Sequence, residues 1–507
     1  MIRLALITLL AGLVLGPAAA AEPQPLRIGS KRFTESYILA EVLAQTAASH
    51  AKVEVKPGLG NTAIVYEALR AGSIDLYPEY TGTITLEILK SPRPLDLPTM
   101  RAQLAPLGLG VDVPLGFNDG YALAMREDVA ARLGVRQLSD LAGQPTLRLG
   151  LSNEFIGRAD GWKGLAARYQ LPQRPTGLDH GLAYDAIAGG QVDVIDIYTT
   201  DAKIGHLGLR VLADDAAYFP RYDAVLLHRL DVPQKHPAAW AALKGLQGRI
   251  SERQMIAMNA QVELKGQAFD GVARAYLAGK VPEADPTRGA SAERPPNGFW
   301  ARLWGPDLAR LSAEHLGLVA ASVLLAVVIG VPLAVAVAPH ARVRTAVLGA
   351  TGLLQTVPSL ALLALLISLL GRIGTVPALL ALTLYALLPI MRNTCTGLAE
   401  VPQGLKQAGT ALGLRPGQRL RTVELPLAMP VIVAGVRTAT TISVGTATIA
   451  AFIGAGGFGE RIVTGLALND KALLLAGAVP AAALALLFEG LFGLTERQLR
   501  RGRLVSG

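Results

Sequence analysis

The 507-residue chain predicts a soluble α/β domain followed by an all-α membrane domain. Two patterns carry that expectation. From Pro25 to about Val281, short β-prone runs alternate with helical ones, the mark of an α/β domain. From Leu316 onward, apolar runs long enough to cross a bilayer take over. Composition agrees, with 51% hydrophobic and 17% charged residues and the apolar excess concentrated in the second part. The length alone is too great for one domain.

The first element is an export signal over residues 1–21. Arg3 supplies a positive start, Leu4 to Gly16 an apolar core, and Pro17 to Ala21 a small-residue cleavage region. Cleavage is expected after Ala20 or Ala21, because the core is short for a span. An uncleaved anchor would also put the next domain outside the cytoplasm. A soluble domain then fills residues 22–282. Leu26 to Ser30 and Val53 to Val55 read as strands, Tyr37 to Ala48 and Ala63 to Ala71 as helices. Similar units recur at Leu147 to Gly150, Gly181 to Gly189 and Val192 to Ile195. Residues 283–310 form a linker whose start, Glu283 to Asn297, is rich in Pro and small polar residues.

The membrane domain, residues 311–507, offers about five spans: Leu316–Val337, Ala346–Leu370, Val376–Ile390, Met429–Ile453 and Ala472–Leu494. Loop charge orients them. Arg342 and Arg344, then Arg392, Lys406, Arg415, Arg419 and Arg421, and a tail with Arg497, Arg500, Arg501 and Arg503, fall on one side. That side is cytoplasmic if the soluble domain is outside. The net charge of +9 follows from these loops, and no interleaved basic-aromatic patch points to nucleic acid. A single cysteine, Cys395, excludes an internal disulfide. No Gly-x4-Gly-Lys-Ser/Thr phosphate loop, no His/Cys metal cluster and no Gly-x-Ser-x-Gly elbow occurs. The sequence therefore points to no enzyme activity, cofactor or metal, and ATP-driven work would need a separate ATPase.

Particular stretches carry a family resemblance. Ile28-Gly-Ser-Lys-Arg-Phe-Thr-Glu-Ser36, Gly58-Leu-Gly-Asn-Thr62, Leu76-Tyr-Pro-Glu-Tyr-Thr-Gly-Thr83, Gly120 to Ala124 and Tyr198-Thr-Thr-Asp201 resemble the glycine betaine/choline/carnitine-binding proteins of ABC importers. Glu314-His-Leu316, Gln355 to Ser359 and Gly445 to Gly457 resemble the permeases of the same osmoprotectant systems. The resemblance implies a two-lobed periplasmic-binding-protein fold, with lobes of about 24–117 plus 220–282, and 118–219. It implies a receptor fused to its inner-membrane permease, working as a homodimer with a separate cytoplasmic ATPase. An importer of another small solute, or an osmolyte sensor that transports nothing, are the alternative readings.

A quaternary ammonium cannot donate hydrogen bonds and is best held on aromatic faces. A carboxylate wants Arg, Lys or hydroxyl donors. By resemblance, Tyr80, Tyr121, Tyr198 and Tyr222 match the family's aromatic cage, Thr83 accompanies Tyr80, and Lys31 and Arg158 match its carboxylate ligands. Taken alone, each tyrosine would read as packed core and Lys31 as a surface lysine. The cytoplasmic loop 392–426 resembles the ATPase-coupling loop of importer permeases. Its usual Glu-Ala-Ala is Gln407-Ala408-Gly409 here, followed by Gly413 and the closing pair Leu425-Pro426. Finally, Arg437 and Glu489 sit inside the fourth and fifth spans, roughly 15 Å and 10 Å from the cytoplasmic ends at 1.5 Å per residue. Those depths predict a buried ion pair. The Gly454 to Gly459 run reads as a tightly packed span end.

Overall fold

A computed structural model describes residues 24–283, 298–468 and 470–504. The expected signal peptide and most of the Pro-rich linker lie outside the described residues.

The soluble half is built on two five-stranded sheets. The first takes β1 (Leu26–Gly29), β2 (Val53–Lys56), β3 (Leu76–Tyr80), β4 (Leu109–Asp112) and, from much later in the chain, β10 (Ala224–Arg229), in the order β2-β1-β3-β10-β4. The second holds β5 (Tyr121–Arg126), β6 (Leu149–Ser152), β7 (Thr176–Leu178), β8 (Val194–Tyr198) and β9 (Leu209–Val211), in the order β7-β6-β8-β5-β9. Each sheet mixes parallel crossovers with antiparallel pairs. Strand register positions the tyrosines. Antiparallel pairing sets Ala224 against Tyr80 in the first lobe and Tyr121 directly against Tyr198 in the second. β3 is buried along its whole length, as expected for a strand covered by helices on both faces.

Three helices frame the cleft. α1 (Thr34–Ala47) leaves the β1 loop and buries Ile38, Leu39, Val42 and Leu43 in the first lobe. Each such side chain contributes about 2 kcal/mol of burial free energy. α2 (His180–Ala188) follows β7, with the Asp179 carboxylate accepting from the Gly181 amide at 3.1 Å. α3 (Glu252–Glu263) begins with a Ser251/Gln254 capping box.

The membrane half differs from expectation in four places. α4 (Leu308–Val337) starts earlier than predicted, and a short helix Phe299–Leu303 precedes it, so the 283–310 linker ends in helix. The predicted second span is instead two helices, α5 (Ala341–Thr356) and α6 (Ser359–Leu370), bent by 101°. Pro358 explains the break, since its ring disfavours α geometry at Val357, whose ψ is 127°. α7 (Thr375–Ala399) is longer than predicted at both ends and absorbs residues 392–399 of the expected coupling loop. α8 (Gln403–Ala411) then lies in that loop, and α9 (Leu425–Ala447), α10 (Gly459–Ala467) and α11 (Lys471–Leu504) complete the chain. Among the described residues four helices are long and apolar enough to span, and the bent pair makes a fifth. Leu318 and Val319 of α4, Leu382 and Tyr385 of α7 and Val444 of α9 share one core. Between α9 and α10 the chain turns through Gly454, Gly456 and Gly457, with φ of +71°, +84° and +84°, a conformation that favours glycine.

Candidate functional site

The seven residues expected to meet ligand fall into one continuous network across the two lobes. Lys31 ends the loop after β1, where its amide donates to Ser36 Oγ at 2.8 Å. Its Nζ lies 2.5 Å from Glu79 Oε1 and 4.9 Å from the Tyr80 ring centroid. Glu79 also accepts from the Tyr77 hydroxyl and the Tyr80 amide, at 3.1 and 3.0 Å. In the other lobe, Arg158 holds Asp160 with two parallel bonds of 2.7 and 2.6 Å, and its guanidinium lies 5.0 Å from the Tyr121 ring centroid. Thr83 Oγ1 stands 3.4 Å from Arg158 Nη2, and the Tyr222 hydroxyl donates to Asp160 at 2.5 Å. Tyr121 is 5.1 Å from Tyr198 and 5.8 Å from Tyr222 between ring centroids.

Both expected carboxylate ligands thus already have a buried carboxylate partner. Burial opposes the Arg158 charge, but the surrounding Tyr121, Asp160 and Tyr222 hold its pKa far above the usual guanidinium value. Asp160 uses only Nε and Nη2, so further N–H donors of a five-donor guanidinium remain.

Four residues not singled out from the sequence belong to the same site. Phe33 sits between Tyr198 and Tyr80, at 5.2 and 6.2 Å. His180, the first residue of α2, lies 4.5 Å from the Tyr198 ring and 3.1 Å from Asp201. Burial works against its charge, yet Asp201 and Asp196 raise its pKa to about 9. Glu35 and Asp119 meet at Thr200, whose hydroxyl lies 2.5 Å from one carboxyl and 2.9 Å from the other. One hydroxyl carries one proton, so both contacts are hydrogen bonds only if a carboxyl supplies a second. Burial pushes Glu35 up to about 7 in spite of the hydrogen bonds from Thr200, Tyr80 and Asn259, and raises Asp119 as well. Phe33 and Glu35 lie inside the stretch that carries the family resemblance; Asp119 and His180 have no local signal, because their partners are 81 and 21 residues away.

A cavity of about 160 Å³ opens beside this network. Lys31, Phe33, His180 and Tyr198 line it from the lobes, and Val463 and Leu466 of α10 line it from the membrane half. Tyr80, Tyr121 and Tyr222 stand behind that wall and are buried.

At the cytoplasmic end, Gln407 and Ala408 are exposed on α8 while Gly409 is buried. A Cβ at Gly409 would come within 3.3 Å of the Arg419 side chain. Gly413 turns the chain at φ +79°, and Leu425-Pro426 open α9. Leu412 is 81% exposed on this loop. Arg437 Nε lies 3.4 Å from Glu489 Oε1, and its Nη1 lies 3.1 Å from Glu496 Oε2. The expected partner is present, but the pair is not buried: the Glu489 side chain is 48% exposed, and Glu496 is a third member.

Residues 24–279 match the family described as the substrate binding domain of ABC-type glycine betaine transport systems. Residues 326–501 match the inner membrane component of binding-protein-dependent transport systems. The chain belongs to both families. It is the fused substrate-binding and permease subunit of an ABC importer, a multi-pass inner-membrane protein with its receptor on the periplasmic side. These are transporter families, and they imply a small ligand and an ATPase partner. The receptor–permease is 48% identical over 188 residues to the osmoprotectant import permease protein OsmW of Salmonella typhimurium, covering 36% of this chain and 87% of that protein. It is 42% identical over 195 residues to the glycine betaine/carnitine/choline transport system permease protein OpuCB of Bacillus subtilis, covering 38% and 89%. It is also 33% identical over 282 residues to the ergothioneine transport permease/ergothioneine binding protein EgtU of Helicobacter pylori, covering 54% of this chain and half of that one.

Proposed function

We propose that the receptor–permease imports small quaternary ammonium osmoprotectants such as glycine betaine, choline or carnitine. The aromatic wall supports this reading most directly. Behind the wall, the buried Tyr80 and Tyr121 rings hold the Lys31 and Arg158 cations at 4.9 and 5.0 Å, the attraction that a methylated ammonium would use. Phe33 and Tyr198 present further rings to the cavity beside His180. In this reading Tyr80, Tyr121, Tyr198 and Tyr222 form the cage with Thr83. Lys31 and the spare N–H groups of Arg158 receive the ligand carboxylate. The names of the permease relatives support the same class.

A separate ATPase drives transport by docking on the loop of Gln407, Ala408, Gly409 and Gly413, with Leu425-Pro426 fixing its exit. Two copies of the chain form the pore, since a unit of about five spans is too small to line one alone. A second reading has one observation in its favour: the relative named for ergothioneine binding also joins receptor and permease in one protein. That ligand is itself a trimethylammonium carboxylate with an added ring, so it uses the same groups and differs in size.

Calorimetry on the full chain in detergent tests the class, with glycine betaine, choline and ergothioneine as titrants. Glycine betaine or choline is expected to bind, and Tyr198→Ala to weaken binding by about tenfold or more, given roughly 1–2 kcal/mol for a desolvated cation–π contact. Binding of ergothioneine alone would select the second reading. Failure of all three would remove the substrate class.

A further inference from the structure

The two lobes meet the membrane half in different ways, and α10 lies at both contacts. Its root is fixed to the permease. Buried Arg461 holds Asp307 at 2.6 and 3.0 Å and donates to the carbonyls of Leu303 and Ala476. Its far end reaches the receptor. Leu468, just past α10, is buried in the main core of the receptor, and Leu473 packs beside it. On the same lobe, the Arg32 guanidinium lies 4.6 Å from the Phe452 ring centroid, and Ser73 Oγ accepts from the Ile373 amide at 3.3 Å. The first lobe is therefore held by core packing, ring stacking and a hydrogen bond together.

The second lobe has a thinner attachment. α2 rests on α10 where Gly181 faces the carbonyl oxygens of Leu466 and Ala467. A Cβ at Gly181 would lie 2.6 and 3.0 Å from those oxygens. Backbone cannot yield as a flexible side chain can, so this contact exists only because residue 181 has no side chain. A further contact, Lys471 to Asp185 at 3.9 Å, joins side chains 85% and 52% exposed and holds little.

We infer that α10 is the seat on which both lobes dock separately: the first lobe is anchored on the permease by packing, and the second lobe docks on α10 through Gly181, whose missing side chain sets how closely α2 approaches. Val463, Leu466 and Ala467 also line the cavity between the lobes, so the same helix meets both the second lobe and the cleft. Gly181 is thus a positioning residue for docking. The inference rests on the receptor–permease assignment and not on which ligand is carried.

Cross-linking in the full chain, on a Cys395→Ala background, tests this without any ligand. One cysteine pair, Asp185→Cys with Lys471→Cys, reports the second lobe. The other, Arg32→Cys with Phe452→Cys, reports the first. Gly181→Val is expected to lower the 185–471 cross-link several-fold and to leave the 32–452 cross-link in place. Gly205→Val, a site with open space around its Cβ, is expected to change neither. If Gly181→Val leaves both cross-links intact, Gly181 does not position the second lobe on α10. If it abolishes both, the lobes do not dock separately and the inference also fails. Failure of betaine binding would leave this result untouched.

Discussion

Two arginines, one at each end of the molecule, show what distinguishes the cleft from the cytoplasmic loop. Arg158 in the cleft is 5% exposed and holds Asp160, itself 3% exposed, with two parallel bonds. Arg419 in the cytoplasmic loop before α9 is 31% exposed and bonds Glu424 at 2.8 Å and Thr410 at 3.0 Å. The contacts have similar lengths. Their energetics differ because losing Arg158 strands Asp160 away from water with only a tyrosine hydroxyl, whereas Glu424, 13% exposed, still has the Lys406 ammonium 4.0 Å away when Arg419 is lost. The cleft is thus an ionic network that must be complete, and the loop is a surface that tolerates loss.

The largest expected effect comes from that contrast. Arg158→Ala leaves Asp160 buried with the Tyr222 hydroxyl as its remaining donor, and is expected to destabilise the receptor by about 3–5 kcal/mol. Arg419→Ala is expected to cost about 1 kcal/mol or less. Chemical unfolding of the full chain followed by tryptophan fluorescence would compare them. Equal losses would erase the distinction between the two ends.

A second, smaller effect is confined to the cleft and depends on pH. Glu35 bonds across the lobes to Thr200 and shares it with Asp119, with Tyr80, Asn259 and Asp201 around it. Burial raises its pKa from 4.5 to about 7. A carboxyl that binds its proton more tightly when folded contributes stability that is complete below pH 4.5 and lost as pH rises through 7. His180, raised from 6.5 to about 9, adds a loss of the same sign at higher pH. The thermal midpoint of the receptor is therefore expected to fall between pH 5 and pH 8, and Glu35→Gln to flatten the lower part of that slope. A midpoint in Glu35→Gln that still falls as steeply below pH 7 would assign the proton elsewhere.

The same contrast decides what could be read in the chain. Strand–helix alternation before Val281 and apolar runs after Leu316 are local patterns, and both halves arise from them. In the loop before α9 the turn was legible because its glycine answers a local need: Gly413 turns the chain at positive φ. The bend at Pro358 carried a local signal too, but the apolar run across it masked the break. The cleft was legible only as a list of tyrosines and two cations. The long-range partners were not, since Glu79 stands 48 residues from Lys31 and Thr200 stands 165 from Glu35, although Asp160 is only two from Arg158. The strand that closes the first sheet, β10, also arrives 112 residues after β4 ends, and its place beside β3 has no trace in spacing.

The intramembrane cluster tests the contrast where it is weakest. Sequence depth pointed to Arg437 and Glu489, yet Arg437 also reaches Glu496. The two carboxylates are not equivalent. Glu489 is 48% exposed and accepts from Thr441 Oγ1 at 3.1 Å, so it keeps a donor when Arg437 is removed. Glu496 is 14% exposed and approaches the guanidinium more closely. Glu489→Gln is therefore expected to lower stability less than Glu496→Gln does. Coupling of Arg437 to Glu496 should exceed its coupling to Glu489 in double-mutant cycles, read from thermal unfolding in detergent. Adding Glu489→Ala to Arg437→Ala should then restore only part of what Arg437→Ala loses, because the more buried carboxylate is still present. Full restoration by Glu489→Ala would make the more exposed residue the true partner and would mean that burial does not rank these pairs.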